Sequence, residues 1–397
     1  MVKKYIQIGI FNILSLSYVT ASEFDIELGF RSDYVTKTEE IAQKKVYYTL
    51  EYTNILNDFK INIISRGYFD FDKSKYHDLW FDEFTISKDY ENFSFLLGKH
   101  QVNWGESDYL RVVNVINPIN LKDYYLSYIE DYKKANSSLW MFQSEYTGND
   151  WGSSLLIIPD FESTVFPHSQ TGFYNESLSS YESIQENNPN KFDIKDISVA
   201  LKINKEIDNY DFSVYSYYGW NHTSLITSSL KKESFRRKVL GVSLSNTIGE
   251  FVIRTDNAIY LDEKFQEINY GTSEKDSIKN LIATDWNDAS HSISLQVLST
   301  HILSYSNNII EDEDTIEGTF YIEKRINNNN IVFSNLLLNN FSTNTGINEF
   351  KVKYRYKDNI NLYFGYDSFW GNEGILSGYS NQNRVFGYIK YFFDIES

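Results

Sequence analysis

The chain of 397 residues contains no cysteine and only four prolines. Without cysteine it can form neither a disulfide framework nor a thiolate metal site. After the N-terminus no stretch reaches about 18 unbroken apolar residues, so a helical membrane protein is excluded. Basic residues are few, 37 Lys and Arg against 54 Asp and Glu, which gives a net charge of -17. This balance disfavours nucleic acid and anionic lipid as partners.

The scarcity of proline predicts a fold that is almost entirely β-sheet. Proline cannot donate to a β-ladder, and the four prolines stand in only two segments, around Pro118 and from Pro159 to Pro189. The composition agrees, because 17% of the residues are aromatic, including 32 tyrosines and 28 phenylalanines. The two proline segments are therefore the places to look for function.

Apolar and polar residues alternate along many segments, which indicates strands with one apolar face. Examples are Phe24 to Phe30, Ile197 to Ile203, Ile293 to Val297 and Phe350 to Tyr354. A soluble sandwich would show the same alternation. Strands of about 10 residues, and connections that alternate between tight turns and longer segments, favour a transmembrane β-barrel instead.

The N-terminus predicts export. Residues 1–21 combine Lys3 and Lys4 with an apolar stretch and a small-residue end, as in a cleavable signal peptide. The alternative is a membrane anchor, but the apolar stretch of about 15 residues is short for a span. We expect a single barrel domain over residues 22–397 in a bacterial outer membrane.

Tight turns set the predicted strand count. They are expected at Asn57-Asp58, Asp89 to Asn92, Thr147 to Asp150, Asp208 to Asp211, Ile248 to Glu250, Asn287 to Ala289, Asn327 to Asn330 and Lys357 to Asn359. Eight turns with both termini on one side give 18 antiparallel strands and nine longer loops, or 16 strands if one weak pair is misread. The last strand, Arg384 to Phe393, resembles the aromatic-rich final strand that barrel-assembly machinery recognises.

The first proline segment carries a family resemblance. The run from Gly98 to Asp108, followed by Asn114 to Asn120, resembles a G-(R/K)-Q-x-x-x-W-G-x-S … I-N-P signature. That signature is typical of proteobacterial porin-like outer-membrane barrels of largely unknown function, which are often linked with export of hydrophobic compounds. The chain departs from it at Asn114 and Asn120, where aspartate is usual, and its glutamine stands one place late. The motif residues here are Gly98, Gln101, Trp104, Gly105, Asn117 and Pro118.

The resemblance implies that residues 103–136, the third external loop, fold into the lumen. If Phe350 and Val352 face lipid, then Lys351, Lys353 and Arg355 face the lumen, because a charge on the lipid face costs ~2 to 4 kcal/mol. The same parity points Lys202, Arg254 and Lys390 inward. Acidic loop residues opposite this basic wall would select solutes by charge. The constriction candidates are Trp104, Glu106, Asp108, Arg111, Lys351, Lys353 and Arg355.

Other interpretations remain open from the sequence. Trp104 can pack against the barrel rim with the loop charges merely solvated, or salt bridges can plug the lumen. Residues 159–195, the fourth external loop, suit a lid, a receptor surface or a mobile surface loop, the last being the default. The six scattered histidines match no catalytic motif, so an enzyme is not expected. An adhesin or receptor is the main alternative function, and a barrel hydrolase the lesser one.

The sequence thus predicts a passive channel for small solutes, or an exporter of hydrophobic compounds. Predicted partners are outer-membrane lipid, the barrel-assembly machinery and a small-molecule or lipid-like cargo. No nucleic acid, cofactor or metal is expected. Export partners in the inner membrane or periplasm follow only from the family association.

Overall fold

The computed structural model describes residues 22–72, 77–122, 135–175, 179–371 and 378–396. The segment for which a signal peptide is predicted lies outside them. The long strands are β1 (Ser22–Val35), β2 (Glu40–Leu56), β3 (Phe59–Asp70), β4 (His77–Tyr90), β5 (Phe93–His100), β6 (Leu139–Thr147), β7 (Trp151–Ile158), β9 (Ser198–Ile207), β10 (Tyr210–Trp220), β13 (Arg236–Ile248), β14 (Phe251–Gln266), β15 (Thr272–Asn287), β16 (His291–Ile302), β17 (Asp314–Ile326), β18 (Ile331–Asn340), β19 (Thr345–Lys357), β20 (Ile360–Trp370) and β21 (Arg384–Glu396).

These 18 strands form one closed antiparallel barrel. Each strand pairs with the next one along the chain, and β1 pairs with β21, so that Arg31 lies opposite Tyr388. Three two-residue strands, β8 (Glu186–Asn187), β11 (Leu225–Ile226) and β12 (Lys232–Glu233), form a separate small sheet, and α1 spans Ser179–Ser183. No helix in the described part of the chain is long and apolar enough to cross a membrane. The predicted count of 18 strands is confirmed.

The outer face of the barrel is apolar, and the alternation of side chains produces it. In β7, Leu155 and Ile157 point outward and are 39% and 38% exposed, while Leu156 and Ile158 point inward and are buried. The same alternation holds around the barrel, where valine, leucine, isoleucine and phenylalanine side chains form most of the exposed outer set. An apolar outer band is what a bilayer requires of a spanning barrel.

The two ends of the barrel differ in their connections. All eight predicted turns lie at one end, here called the turn end, and several use positive φ angles, such as 49° at Asn57 and 67° at Asp58. Positive φ at both central residues suits tight hairpins because it matches the twist of the strands. The opposite end, the loop end, carries loop 3 (residues 101–138), loop 4 (159–197), loop 5 (221–235) and loop 9 (371–383).

Two sequence expectations about the connections and the last strand are wrong. Three of the nine loop-end connections, residues 36–39, 267–271 and 341–344, are only four or five residues long, and so they are turns and not long loops. The last strand does not stop at Phe393. It continues to Glu396 because the matching residues of β1 are available to pair with it, with Phe24 opposite Ile395.

Loops from the loop end fill much of the barrel interior. Buried apolar residues of loop 3, including Val112 and Ile116, pack against inward side chains of β6 to β16. On the other side, Phe173 of loop 4 packs with Ile347, Phe369 and Tyr379. The open part of the lumen therefore lies toward the turn end.

The alternation makes a direct prediction. Val297 lies midway along β16 on the outer face and is 42% exposed, whereas Ser245 of β13 lines the lumen. We expect Val297→Lys to reduce the free energy of unfolding in lipid vesicles by about 2 to 4 kcal/mol, because a lysine there would face hydrocarbon. Ser245→Lys should change it far less. Equal losses in urea titrations of the two variants would show that Val297 does not face lipid.

Candidate functional site

The two signature glycines stand where the backbone comes close to other groups. Gly98 has φ 154°, and a Cβ there would lie 2.0 Å from the carbonyl oxygen of Phe84. Gly105 has φ 98°, and a Cβ would meet Val113 Cγ2 at 2.7 Å and Asp256 Oδ2 at 2.9 Å. Only glycine accepts both the conformation and the contact. These two residues let the chain leave β5 and turn down against the inner wall.

Trp104 packs against the wall and does not line the open lumen. It is 5% exposed, and its ring centroid lies 5.8 Å from that of Tyr215 on β10. This arrangement matches the alternative in which the tryptophan packs against the barrel. Its role is to bury one side of loop 3, as large aromatic rings do elsewhere in protein cores.

Asn117 joins the two ends of loop 3. Its Oδ1 accepts a hydrogen bond from the Val102 amide at 2.7 Å, and its Nδ2 donates to the Ser137 carbonyl at 2.9 Å. The carbonyl of the next residue, Pro118, accepts from the Ser137 amide at 2.9 Å, and Gln101 Nε2 donates to the Asn136 carbonyl at 3.2 Å. Buried backbone groups need such partners. The motif residues Gln101, Asn117 and Pro118 thus close the base of the loop.

A pair of charged residues on β14 holds the far part of loop 3. Asp256 is fully buried and accepts hydrogen bonds from the amides of Glu106 (3.1 Å) and Ser107 (3.2 Å) and from the hydroxyl of Ser243 (2.5 Å). Arg254, two residues earlier on the same face, donates to the carbonyl of Glu106. We call Arg254 and Asp256 the β14 clamp. A carboxylate that accepts several hydrogen bonds is a strong anchor for a backbone segment.

Arg254 of the clamp also binds carboxylates of loop 3 and of β15. Arg254 Nη2 lies 2.7 Å from Asp108 and 2.6 Å from Asp285, and Gln296 Nε2 donates to Asp108 at 3.2 Å. Burial raises the pKa of the Glu106 carboxyl above its usual value, and the nearby Asp256 charge adds to the effect. This end of the site borders a cavity of about 480 Å³ that Tyr109 and Tyr321 also line.

The predicted constriction residues separate into three places. Glu106 and Asp108 meet Arg254, one of the basic residues that the sequence pointed inward, and not Lys351, Lys353 or Arg355 of β19. Arg111 stays within loop 3, where its Nη2 donates to Asn136 Oδ1 at 2.5 Å. Lys351 pairs with Glu349 on its own strand at 3.1 Å.

The basic wall forms its own sector on β19 to β21, near the turn end. It comprises Lys351, Lys353, Arg355 and Lys390. The ammonium groups of Lys353 and Lys390 each lie 6.0 Å from the ring of Tyr363, which stacks on Tyr388 at 4.1 Å. Lys390 pairs with Glu27 at 3.3 Å. Neither Lys353 nor Arg355 has an ion-pair partner within 4 Å among the described residues, so the sector carries an excess of positive charge.

A second cavity, of about 350 Å³, lies on β2 to β6, and all its lining residues except Leu96 are polar or charged. Its charged lining residues are Glu51, Lys60, Glu83 and Glu145, with Thr, Ser, Asn, Gln and His side chains between them. Among the described residues no group of three or more His, Cys, Asp or Glu side chains is arranged to hold a metal ion. The turn-end half of the lumen is therefore a polar, charged space with acidic and basic sectors.

Sequence reasoning missed three residues that shape the site: Asp256, Ser243 and His222. A signal for Asp256 was present, since it stands two places after Arg254 in an alternating strand and so must share its inward face. His222 of loop 5 had no such signal. Its Nδ1 lies 2.8 Å from the Glu162 carbonyl of loop 4 and its Nε2 lies 2.9 Å from the Ile116 carbonyl of loop 3. The neutral ring donates a hydrogen bond to one of these carbonyls and packs against the other, so it lies at the junction of three loops.

The β14 clamp predicts how loop 3 responds to mutation. Asp256→Asn should weaken the bonds to the amides of Glu106 and Ser107 by about 1 to 3 kcal/mol, because one acceptor oxygen becomes a donor. Native-state hydrogen exchange of these two amides should then speed up roughly five- to 150-fold. Asp285→Asn is the control, since it also contacts Arg254 but touches neither amide. Unchanged exchange in Asp256→Asn would contradict the clamp.

His222 predicts an acid-sensitive loop junction. Burial lowers the pKa of His222 from 6.5 to about 4, with Arg237 adding to the shift and Asp160 and the two carbonyls opposing it. The unfolded chain therefore binds the proton more readily between pH 6.5 and 4, so the folded state loses about 3 kcal/mol as the pH falls to 4. His222→Gln cannot titrate. Unfolding measured against pH should show a smaller acid loss in this variant, and parallel curves for the two proteins would refute the assignment.

Comparisons with known proteins agree with this architecture. A family model described as protein of unknown function (DUF1302) matches residues 65–177, which include the signature segment. No curated protein sequence matches the chain. Among solved structures, Acinetobacter baumannii OccAB3 is 9% identical with a TM-score of 0.53, covering 94% of this chain and 99% of that one.

Two further solved structures are from Pseudomonas aeruginosa. OccK2 (OpdF) in complex with glucuronate is 8% identical, with a TM-score of 0.55 and coverage of 95% of this chain and 98% of that one. The outer membrane protein OpdK is 6% identical, with a TM-score of 0.54 and coverage of 95% and 99%. At these identities the likeness shows the fold. Together with the family match it supports a porin-like β-barrel.

Proposed function

We propose that this protein is an outer-membrane channel for the passive passage of small polar solutes. One observation carries the proposal: a closed 18-stranded barrel has an apolar outer face, and the turn-end half of its inner face is polar and charged. A continuous apolar exterior suits a bilayer, and a charged interior suits water and hydrophilic solutes. With the short turns in the periplasm, loops 3, 4, 5 and 9 face outward from the cell.

The lining of the lumen favours a hydrophilic over a hydrophobic cargo. The largest apolar surface inside the barrel is the inner wall of β6 to β16, and loop 3 already covers it. The surface left toward the turn end carries ionised and hydroxyl side chains. Export of hydrophobic compounds, which the family association suggested, would need an exposed apolar track in the lumen.

The basic sector favours anions among such solutes. Lys353 and Lys390 lie beside the Tyr363 ring, and Arg355 follows on the inward face of β19, so that a carboxylate or phosphate passing this sector meets positive charge next to an aromatic face. Two of the similar solved structures contain glucuronate and vanillate, and both molecules are carboxylates. For this chain the comparison supports carboxylates as the chemical class of solute.

Planar-bilayer recordings test this function. Wild-type protein should form channels, and Lys351→Glu with Lys353→Glu should shift the reversal potential in a salt gradient toward cation selectivity, since two positive charges in the path become negative. The charge-matched control is Lys324→Glu with Lys357→Glu, at exposed positions near the turn end. An absence of channels in the wild type would overturn the proposal. Equal shifts in both double variants would remove the basic sector from the path.

A further inference from the structure

The tip of loop 4, residues Thr171 to Asn175, lies inside the barrel instead of on its surface. Phe173 is fully buried, and Gly172 approaches β2 so closely that a Cβ would lie 3.0 Å from Gln43 Cβ. The second proline segment was expected by default to be a surface loop, but this part of it fills the lumen opposite loop 3. We call these five residues the loop 4 tip.

The loop 4 tip offers backbone carbonyls and an aromatic ring, and no charge of its own, to the groups that hold it. Arg384 Nη1 donates to the Gly172 carbonyl at 3.2 Å, and its guanidinium stacks 3.8 Å from the Phe173 ring centroid. Tyr379 OH donates to the Phe173 carbonyl at 2.6 Å, and Gln382 Nε2 donates to the Tyr174 carbonyl at 3.1 Å. The tip itself has no carboxylate, amine or guanidinium, unlike loop 3, which places carboxylates on the β14 clamp. Hydrogen bonds from β21 and loop 9, together with the Arg384 contact on the Phe173 ring, therefore hold it in place.

The tip covers charges that water would solvate better. Beneath it lie Arg31, Asp33, Asp367 and Arg384, each between 0% and 4% exposed. Asp33 pairs with Arg31 at 2.7 Å and with Arg384 at 3.7 Å. Neither carboxylate oxygen of Asp367 has a hydrogen-bond partner among the described residues. A buried polar group without a hydrogen-bond partner is costly, so the burial of Asp367 opposes the packing of the tip.

We propose that the loop 4 tip is a lid, which closes the lumen along β1, β20 and β21 when it is seated and opens a charged path when it lifts. Two free-energy contributions oppose each other and so make a seated and a lifted position available to the tip. Seating the Phe173 ring removes apolar surface from water, while lifting it hydrates Asp367 and its neighbours. The path exposed by lifting leads toward Lys390 and the basic sector on the same strand, β21. The lid rests on the proposed channel function.

The absence of cysteine allows a reversible lock. In the double variant Gln43→Cys with Gly172→Cys, the two Cβ positions lie 3.0 Å apart, so an outward shift of the tip by about 0.5 Å brings them to the roughly 3.5 to 4.5 Å of a disulfide. We expect oxidation to abolish most of the bilayer current and a reductant to restore it. The two single-cysteine variants are the controls, and their currents should not respond to oxidation. A cross-link confirmed by mass spectrometry that leaves the current unchanged would overturn the lid.

Thiol labelling tests lid movement without any current. Gly172 is buried when the tip is seated, so a cysteine there should react with a membrane-impermeant maleimide only when the tip lifts. Asn188→Cys, at an exposed position of loop 4, should label at once, and Ala283→Cys, 1% exposed beneath loop 3, should stay unlabelled. Tyr379→Phe removes one hydrogen bond to the tip and should speed labelling at position 172. A rate at position 172 as low as that at position 283, with or without Tyr379→Phe, would overturn the lid.

The two readouts separate the lid from the channel. Labelling at position 172 without current in wild type or Tyr379→Phe supports the lid and overturns the channel function. Current that survives the lock, with no labelling at position 172, supports the channel and overturns the lid. Labelling together with a current that oxidation abolishes supports both.

Discussion

Closure of the sheet is the constraint on which the rest of the molecule depends. Because β1 pairs with β21 along its whole length, no strand of the barrel leaves an edge unpaired, and each strand has an inside and an outside. Alternation then assigns every side chain to the membrane-facing surface or to the lumen. The charges on Arg254, Asp256 and Lys353 are tolerable within a barrel wall only because closure gives them an enclosed polar space to face.

Loops that fold into the barrel bring backbone groups that must find hydrogen-bond partners there. Loop 3 meets this requirement with side chains of the wall and of its own base: Asp256 accepts two of its amides, and Asn117 joins its ends. Gly105 permits the close approach that places those amides on the carboxylate. The W-G-x-S-D part of the signature is therefore best explained as a docking sequence for the inner wall, and its pore-lining role is limited to Glu106 and Asp108.

The sequence predicted the barrel well because its rules are local. A dyad repeat, eight turn signals and the parity of Lys351 and Arg254 each depend on neighbouring residues, and they gave the strand count and the inward charges. Partners across the lumen depend on how loops fold in three dimensions. The sequence could not show that Asp108 pairs with Arg254 instead of Lys353, because 146 positions separate Asp108 from Arg254. The sequence also did not predict that Phe173 inserts into the lumen, since a short run of polar and aromatic residues is typical of a surface loop.

The two inserted loops differ in the physics of their attachment, and this difference assigns them different roles. Loop 3 is joined to the wall by an ion pair and by amides on a buried carboxylate, so removing it would take two amide donors from Asp256 and the Asp108 carboxylate from Arg254. The loop 4 tip brings no charge, and lifting it would hydrate Asp367, whose oxygens are unsatisfied among the described residues while the tip is seated. Lifting loop 3 would thus remove hydrogen bonds from the charged groups of β14, whereas lifting the loop 4 tip would let water bind Asp367 of β20. A fixed constriction opposite a removable cover follows from that asymmetry alone.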